Sequence, residues 1–97
     1  MSAELQADGA GRWRLSGALR FDTVPALLQR TPGFPAVAAV VDVSDVREFD
    51  TSALALLLEW RRRARANGHD LQIHKLPERL RDLARVAGVE GLLADGS

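Results

Sequence analysis

The chain has 97 residues, 46% of them hydrophobic and 27% charged, which suits one globular domain over residues 1–97 with a modest core and excludes two domains. Its 13 basic and 13 acidic residues cancel, so the basic excess of a nucleic-acid-binding protein is missing. The lack of cysteine excludes disulfides, thiolate catalysis and Cys-ligated zinc, and it is compatible with the cytoplasm. Lysine occurs once, at Lys75, and arginine supplies the rest of the positive charge. That bias fits a surface that meets carboxylates, and it equally fits the base composition of a genome. The first residues show no basic start followed by an apolar run, so no signal peptide is expected. The longest apolar runs, 36–41 and 53–58, are far shorter than the roughly 20 residues a membrane-spanning helix needs. Contact with a membrane is therefore expected only through a partner.

Residues 3–7 and 12–16 alternate around Asp8-Gly9-Ala10-Gly11, the signature of a hairpin. Ser16-Gly17 is expected to end its second strand. Thr23 or Asp22 can cap a helix that runs to about Arg30, with Pro25 in the first turn and Val24, Leu27 and Leu28 on the buried face. Thr31-Pro32-Gly33-Phe34-Pro35 must be a loop. Residues 37–43 read as a strand apolar on both faces, as in a central strand covered on both sides or a parallel strand. Asp42 and Ser44 are expected to end it, with 45–49 as a short connection.

A helix follows over about 51–67, capped by Asp50 and stopped by Gly68. Its first turns, 53–58, are apolar all round and are expected to be deeply buried, and Trp60 and Ala64 continue the inner stripe. Residues 70–74 form a short strand. Pro77 opens a last helix to about Ala87, with Leu76, Leu80, Leu83, Ala84 and Ala87 in register and Gly88 as its stop. Val89, Leu92 and Leu93 make an apolar tail expected to fold back on the core. This order of strands and helices predicts an α/β domain, a four-stranded mixed sheet with one antiparallel edge, packed against about three helices.

No constellation points to catalysis. His69 and His74 lack the i,i+4 helical spacing of a metal pair. Ser52, His74 and Asp42 supply the residue types of a triad, but no nucleophile-elbow sequence accompanies them. No glycine-rich phosphate loop precedes a helix. Asp42, Asp45 and Asp50 surround a strand end and a helix cap, where acidic residues serve structure. The expected protein is not an enzyme, with no metal and no cofactor.

Asp50-Thr51-Ser52-Ala53 is the segment that carries a functional reading. Two hydroxyl residues follow the cap at the mouth of a helix whose first N–H groups need partners. A phosphate there is favoured by those donors and opposed by Asp50 and Asp45. Simple capping by Thr51 and Ser52 is the competing reading.

Val40-Val41-Asp42-Val43-Ser44, then Val46, Phe49 and Asp50-Thr51-Ser52-Ala53-Leu54, resembles the signature of STAS domains, and Leu15-Ser16-Gly17-Ala18-Leu19 with Thr23-Val24 resembles the second-strand segment of that family. The resemblance spans about residues 13–87. Two branches are similar. One is the MlaB-like subunit of the ABC transporter that moves phospholipids to maintain outer-membrane asymmetry, which the Asp50-Thr51 start and the run 54–58 resemble. It implies a cytoplasmic accessory subunit that binds the transporter's ATPase through Thr51, with Ser52 beside it and Asp50 fixing both. It also implies membrane contact only through that complex. The other branch is the anti-sigma-factor antagonists, in which a partner anti-sigma kinase phosphorylates a serine; the matching position is Ser52. Ala53 stands where that branch has glycine, and Ser52 stands where the transporter branch often has glycine. The resemblance leaves the roles of Arg61, Arg62 and Arg65 open between partner contact and plain exposure to water, and water is favoured for each.

Overall fold

In the computed structural model, which describes residues 3–36 and 39–93, the chain opens with the hairpin that Asp8-Gly9 calls for. Strand β1 (Glu4–Ala7) pairs antiparallel with β2 (Arg12–Leu19). The Asp8 N–H donates to the Arg12 carbonyl at 2.8 Å, and Gly9 takes φ 115°, a conformation that side chains resist. Strand β3 (Ala39–Phe49) and strand β4 (Leu71–His74) follow, each parallel to its predecessor, in the spatial order β1-β2-β3-β4. The sheet is mixed and four-stranded, as the element order predicts. Val37 and Ala38, expected in the third strand, lie outside the described residues.

Two expected strand ends are corrected. β2 continues through Ser16-Gly17 to Leu19, and β3 continues through Asp42 and Ser44 to Phe49, so 45–49 is strand and not connection. The cause is irregular register. Between Arg14 and Ser16 the partner strand advances from Asp42 to Asp45, and between Gly17 and Ala18 it advances from Val46 to Glu48. β3 thus carries an extra residue at each place, as bulges do. The first one resets which side faces the core, so Val43 and Val46 are both buried although three positions apart.

Among the described residues four helices accompany the sheet: α1 (Val24–Arg30), α2 (Thr51–Ala66), α3 (Glu78–Val86) and the single turn α4 (Glu90–Leu93). The first three are the ones expected. Thr23 holds the N-cap of α1 without bonding into the helix. Its hydroxyl instead donates to the Ala18 carbonyl at 2.7 Å and accepts the Arg20 N–H at 2.9 Å, tying the end of β2 to the helix start. α2 and α3 stop in the same way. Gly68 N–H bonds to Arg65 and His69 N–H to Ala64; Gly88 N–H bonds to Arg85 and Val89 N–H to Ala84. These are Schellman closures, and both glycines take the positive φ that the motif requires.

A single cluster forms the core. Leu15, Val41, Val43, Leu71 and Ile73 of the sheet meet Leu27, Leu56, Leu57, Trp60, Leu80 and Leu93 of the helices. The tail expected to fold back does so through Leu93, while Leu92 stays exposed. Of the two readings its apolar run allows, β3 is the parallel strand, pairing with β2 and β4, and it is not covered on both sides. Val41 and Val43 are sealed, but Val40 and Asp42 are half-buried and Ser44 is exposed. Asp42 there accepts from the Ser44 N–H at 2.8 Å and lies 3.6 Å from the Lys75 ammonium, contacts that need a wet, polar face. Nor are residues 53–58 buried all round: Ala55 is exposed and Leu58 half-buried, which leaves α2 amphipathic.

Candidate partner-binding site

The site starts where β3 gives way to α2. Asp50 has extended backbone, and its N–H donates to the Leu19 carbonyl at 3.2 Å. Its carboxylate then does two things. Oδ1 accepts the Ser52 N–H at 2.8 Å, which caps α2, and Oδ2 accepts the Phe21 N–H at 3.1 Å, which fixes the loop after β2. Burial alone would raise the Asp50 pKa, but the backbone donors of Phe21 and Ser52, the Ser52 hydroxyl and the Arg20 charge prevail and hold it below the usual value. Asp50 is therefore a charged structural pin with both oxygens occupied.

That pin presents Thr51 and Ser52 differently. Thr51 is exposed, whereas Ser52 is half-buried. Thr51 opens onto a shallow groove whose walls include Arg20, Arg47, Phe49, Arg79 and Leu83. Arg20 is neutralised within the domain by Glu48 at 2.9 Å and Asp22 at 3.5 Å. Arg47 and Arg79 are exposed and make no ion pair or side-chain hydrogen bond among the described residues. On the neighbouring loop, Phe21 is 75% exposed, an unusual state for a phenylalanine in a small core-limited domain.

The sequence identifies Asp50, Thr51 and Ser52, and the structure keeps them together. It does not identify Arg47, Arg79 or Phe21. Arg47 lay in the segment read as a connection, and Arg79 belongs to a helix brought alongside by parallel strand pairing. The remaining arginines separate. Arg62 and Arg63 both bind Glu59 at 2.8 Å, Arg65 is exposed, and Arg61 is buried against α4, so it does not face water.

No nucleophile with an activating base arises here. Asp42 and His74 are register partners across β3 and β4, but seven residues of β3 separate Asp42 from the site end of that strand, about 23 Å at strand rise. Ser52 cannot join them. Among the described residues no group of His, Cys, Asp or Glu has the arrangement to hold a metal ion, and no helix is long and apolar enough to cross a membrane.

The family model described as "Mlab, STAS domain" matches residues 3–94. A solved structure described as "Crystal Structure Analysis of Mglu" is similar, with a TM-score of 0.58 and 25% identity over 79% of this chain. The match takes in 20% of that other chain, so this domain spans about a fifth of its length. No curated protein matches the sequence.

Proposed function

Since the chain belongs to the MlaB-type STAS family, we propose that it is a non-enzymatic accessory subunit that binds the ATPase of a phospholipid-transporting ABC system maintaining outer-membrane lipid asymmetry. The observation that carries this reading is the pinned start of α2. Asp50 spends both carboxylate oxygens on backbone donors, and exposed Thr51 is thereby held at the rim of an open groove. A rigid polar edge of this kind suits docking, because little conformational freedom is lost on binding. Thr51 makes the contact in this proposal, Ser52 stands beside it and Asp50 fixes both. Such a subunit works at the cytoplasmic side of the membrane and reaches the bilayer only through the complex.

Co-expression with the transporter's ATPase tests the proposal. The two proteins are expected to co-purify, and Thr51→Arg, at an exposed position, is expected to weaken the complex while the melting temperature holds. Equal recovery of wild type and variant removes Thr51 from the interface.

The alternative, an anti-sigma-factor antagonist phosphorylated on Ser52 by its partner kinase, draws less support from the geometry. The Ser52 N–H that would receive a phosphate is already bonded to Asp50, whose charge would oppose the new one. Incubation with ATP and an anti-sigma kinase separates the readings: phosphate incorporation lost in Ser52→Ala favours the antagonist.

A further inference from the structure

We propose that Arg47 and Arg79 form a two-armed carboxylate clamp over the apolar floor of Phe49 and Leu83, and that the partner segment seated there carries acidic side chains beside an apolar anchor. The inference rests on the subunit reading above and specifies the chemistry of its partner.

The four residues come from β3 and α3 and line one groove. The chain as a whole is neutral, so its free positive charge is a matter of placement. Arg20 is satisfied by Glu48 and Asp22, but the Arg47 and Arg79 guanidinium groups have no partner among the described residues. A guanidinium presents a planar fork that matches a carboxylate, and the pair strengthens when docking removes water from it. Phe49 and Leu83, in the same groove, are half-buried, which leaves apolar surface for a side chain to cover. Phe21 adds an exposed ring on a loop that Asp50 already holds. Exposed aromatic and arginine side chains around an apolar floor are the usual anchors of protein interfaces.

An anionic membrane surface fits less well. Glu48 and Asp50 line the same groove, and Asp22 flanks Arg20. A protein segment can place carboxylates only at the two arginines, whereas a sheet of headgroups would press negative charge on those three acids as well.

The test titrates the purified ATPase subunit into wild type and into Arg47→Glu/Arg79→Glu, at low and moderate salt. Wild-type affinity is expected to fall as salt rises, and the double variant to lose at least about 30-fold in affinity and most of the salt dependence. Arg47→Lys/Arg79→Lys should recover only part of the loss, since lysine keeps charge without the fork. Both positions are exposed, and an unchanged melting temperature establishes that the variants fold. If wild type binds and the Glu variant binds equally, the clamp is wrong and the subunit reading stands. If wild type binds no ATPase, both fall. Sedimentation with phosphatidylglycerol vesicles supplies the other arm: binding that is lost in the Glu variant overturns the clamp in favour of a lipid-facing patch.

Discussion

The Arg61 guanidinium donates to the Leu92 backbone carbonyl at 2.7 Å, joining α2 to α4 across 31 residues of sequence. Arg61 is only 8% exposed, and its second nitrogen lies 3.8 Å from Asp70. The side chain thus ties α2 to α4, whose Leu93 fills the core. Arg61→Ala is expected to lower stability by about 2 kcal/mol, the worth of a part-buried charged hydrogen bond. Leu93→Ala is expected to cost about 3 kcal/mol through loss of core volume. Because both act on one docked turn, urea unfolding of the double variant should show less than the sum of the two losses. Full additivity would mean that Arg61 does not hold α4.

Trp60 invites a second prediction. Its ring is fully buried and meets Phe34 edge-on at 4.7 Å, and Phe34 in turn meets Trp13 at 5.3 Å. The indole N–H has no hydrogen-bond partner among the described residues. Trp60→Phe removes an unpaired donor along with part of the ring, so gain and loss oppose each other. Trp60→Ala removes the whole ring and leaves a cavity, at about 4 kcal/mol. Chemical denaturation is expected to place Trp60→Phe within about 1.5 kcal/mol of wild type, a loss typical of modest volume changes in a core.

What the sequence discloses is what local chemistry decides. Asp50 announces a helix start and Gly68 a helix end, because capping depends on neighbours within a few residues. The extension of β3 past Ser44 was hidden, since its bulges break the period of two that marks a strand and exist only through pairing with β2. Arg61 looked like Arg62 and Arg65, its neighbours in one basic run. Only the return of α4 and Asp70 to that face separates it from them. The candidate site divides along the same line: Asp50, Thr51 and Ser52 are consecutive and legible, while Arg47 and Arg79 meet only once β3, β4 and α3 are assembled.

Part of the acid sensitivity should trace to Glu59. Side-chain hydrogen bonds from Arg62 and then Arg63 lower its pKa from 4.5 to about 2 in the folded chain. A folded-state pKa below the unfolded one means that this group stabilises the fold above pH 4.5. The contribution is lost as the pH falls from there through about 2. Urea midpoints measured across that range should fall less steeply in Glu59→Gln than in wild type. Parallel curves would show that the Glu59 ion pairs are fully screened by water, the common fate of surface pairs.

Asp50 couples stability to the edge proposed to dock the partner. Asp50→Ala removes the α2 cap and the Phe21 anchor together, and a loss of about 2 kcal/mol is expected, one for each bond. Asp50→Asn keeps one oxygen, so it can serve Ser52 or Phe21 but not both. The lowered pKa gives the same sign as for Glu59: the carboxylate stabilises the fold above its unfolded value near 3.8 and loses that effect as pH drops through the lower folded value. What distinguishes Asp50 is where the damage appears. Amide exchange should quicken at Phe21 and at the first turn of α2 in Asp50→Asn, while the Schellman closure at Gly68 stays protected. Binding of the ATPase should weaken in step with the exchange at Phe21 and Ser52. Faster exchange with undiminished binding would show that the partner does not read the edge that Asp50 holds.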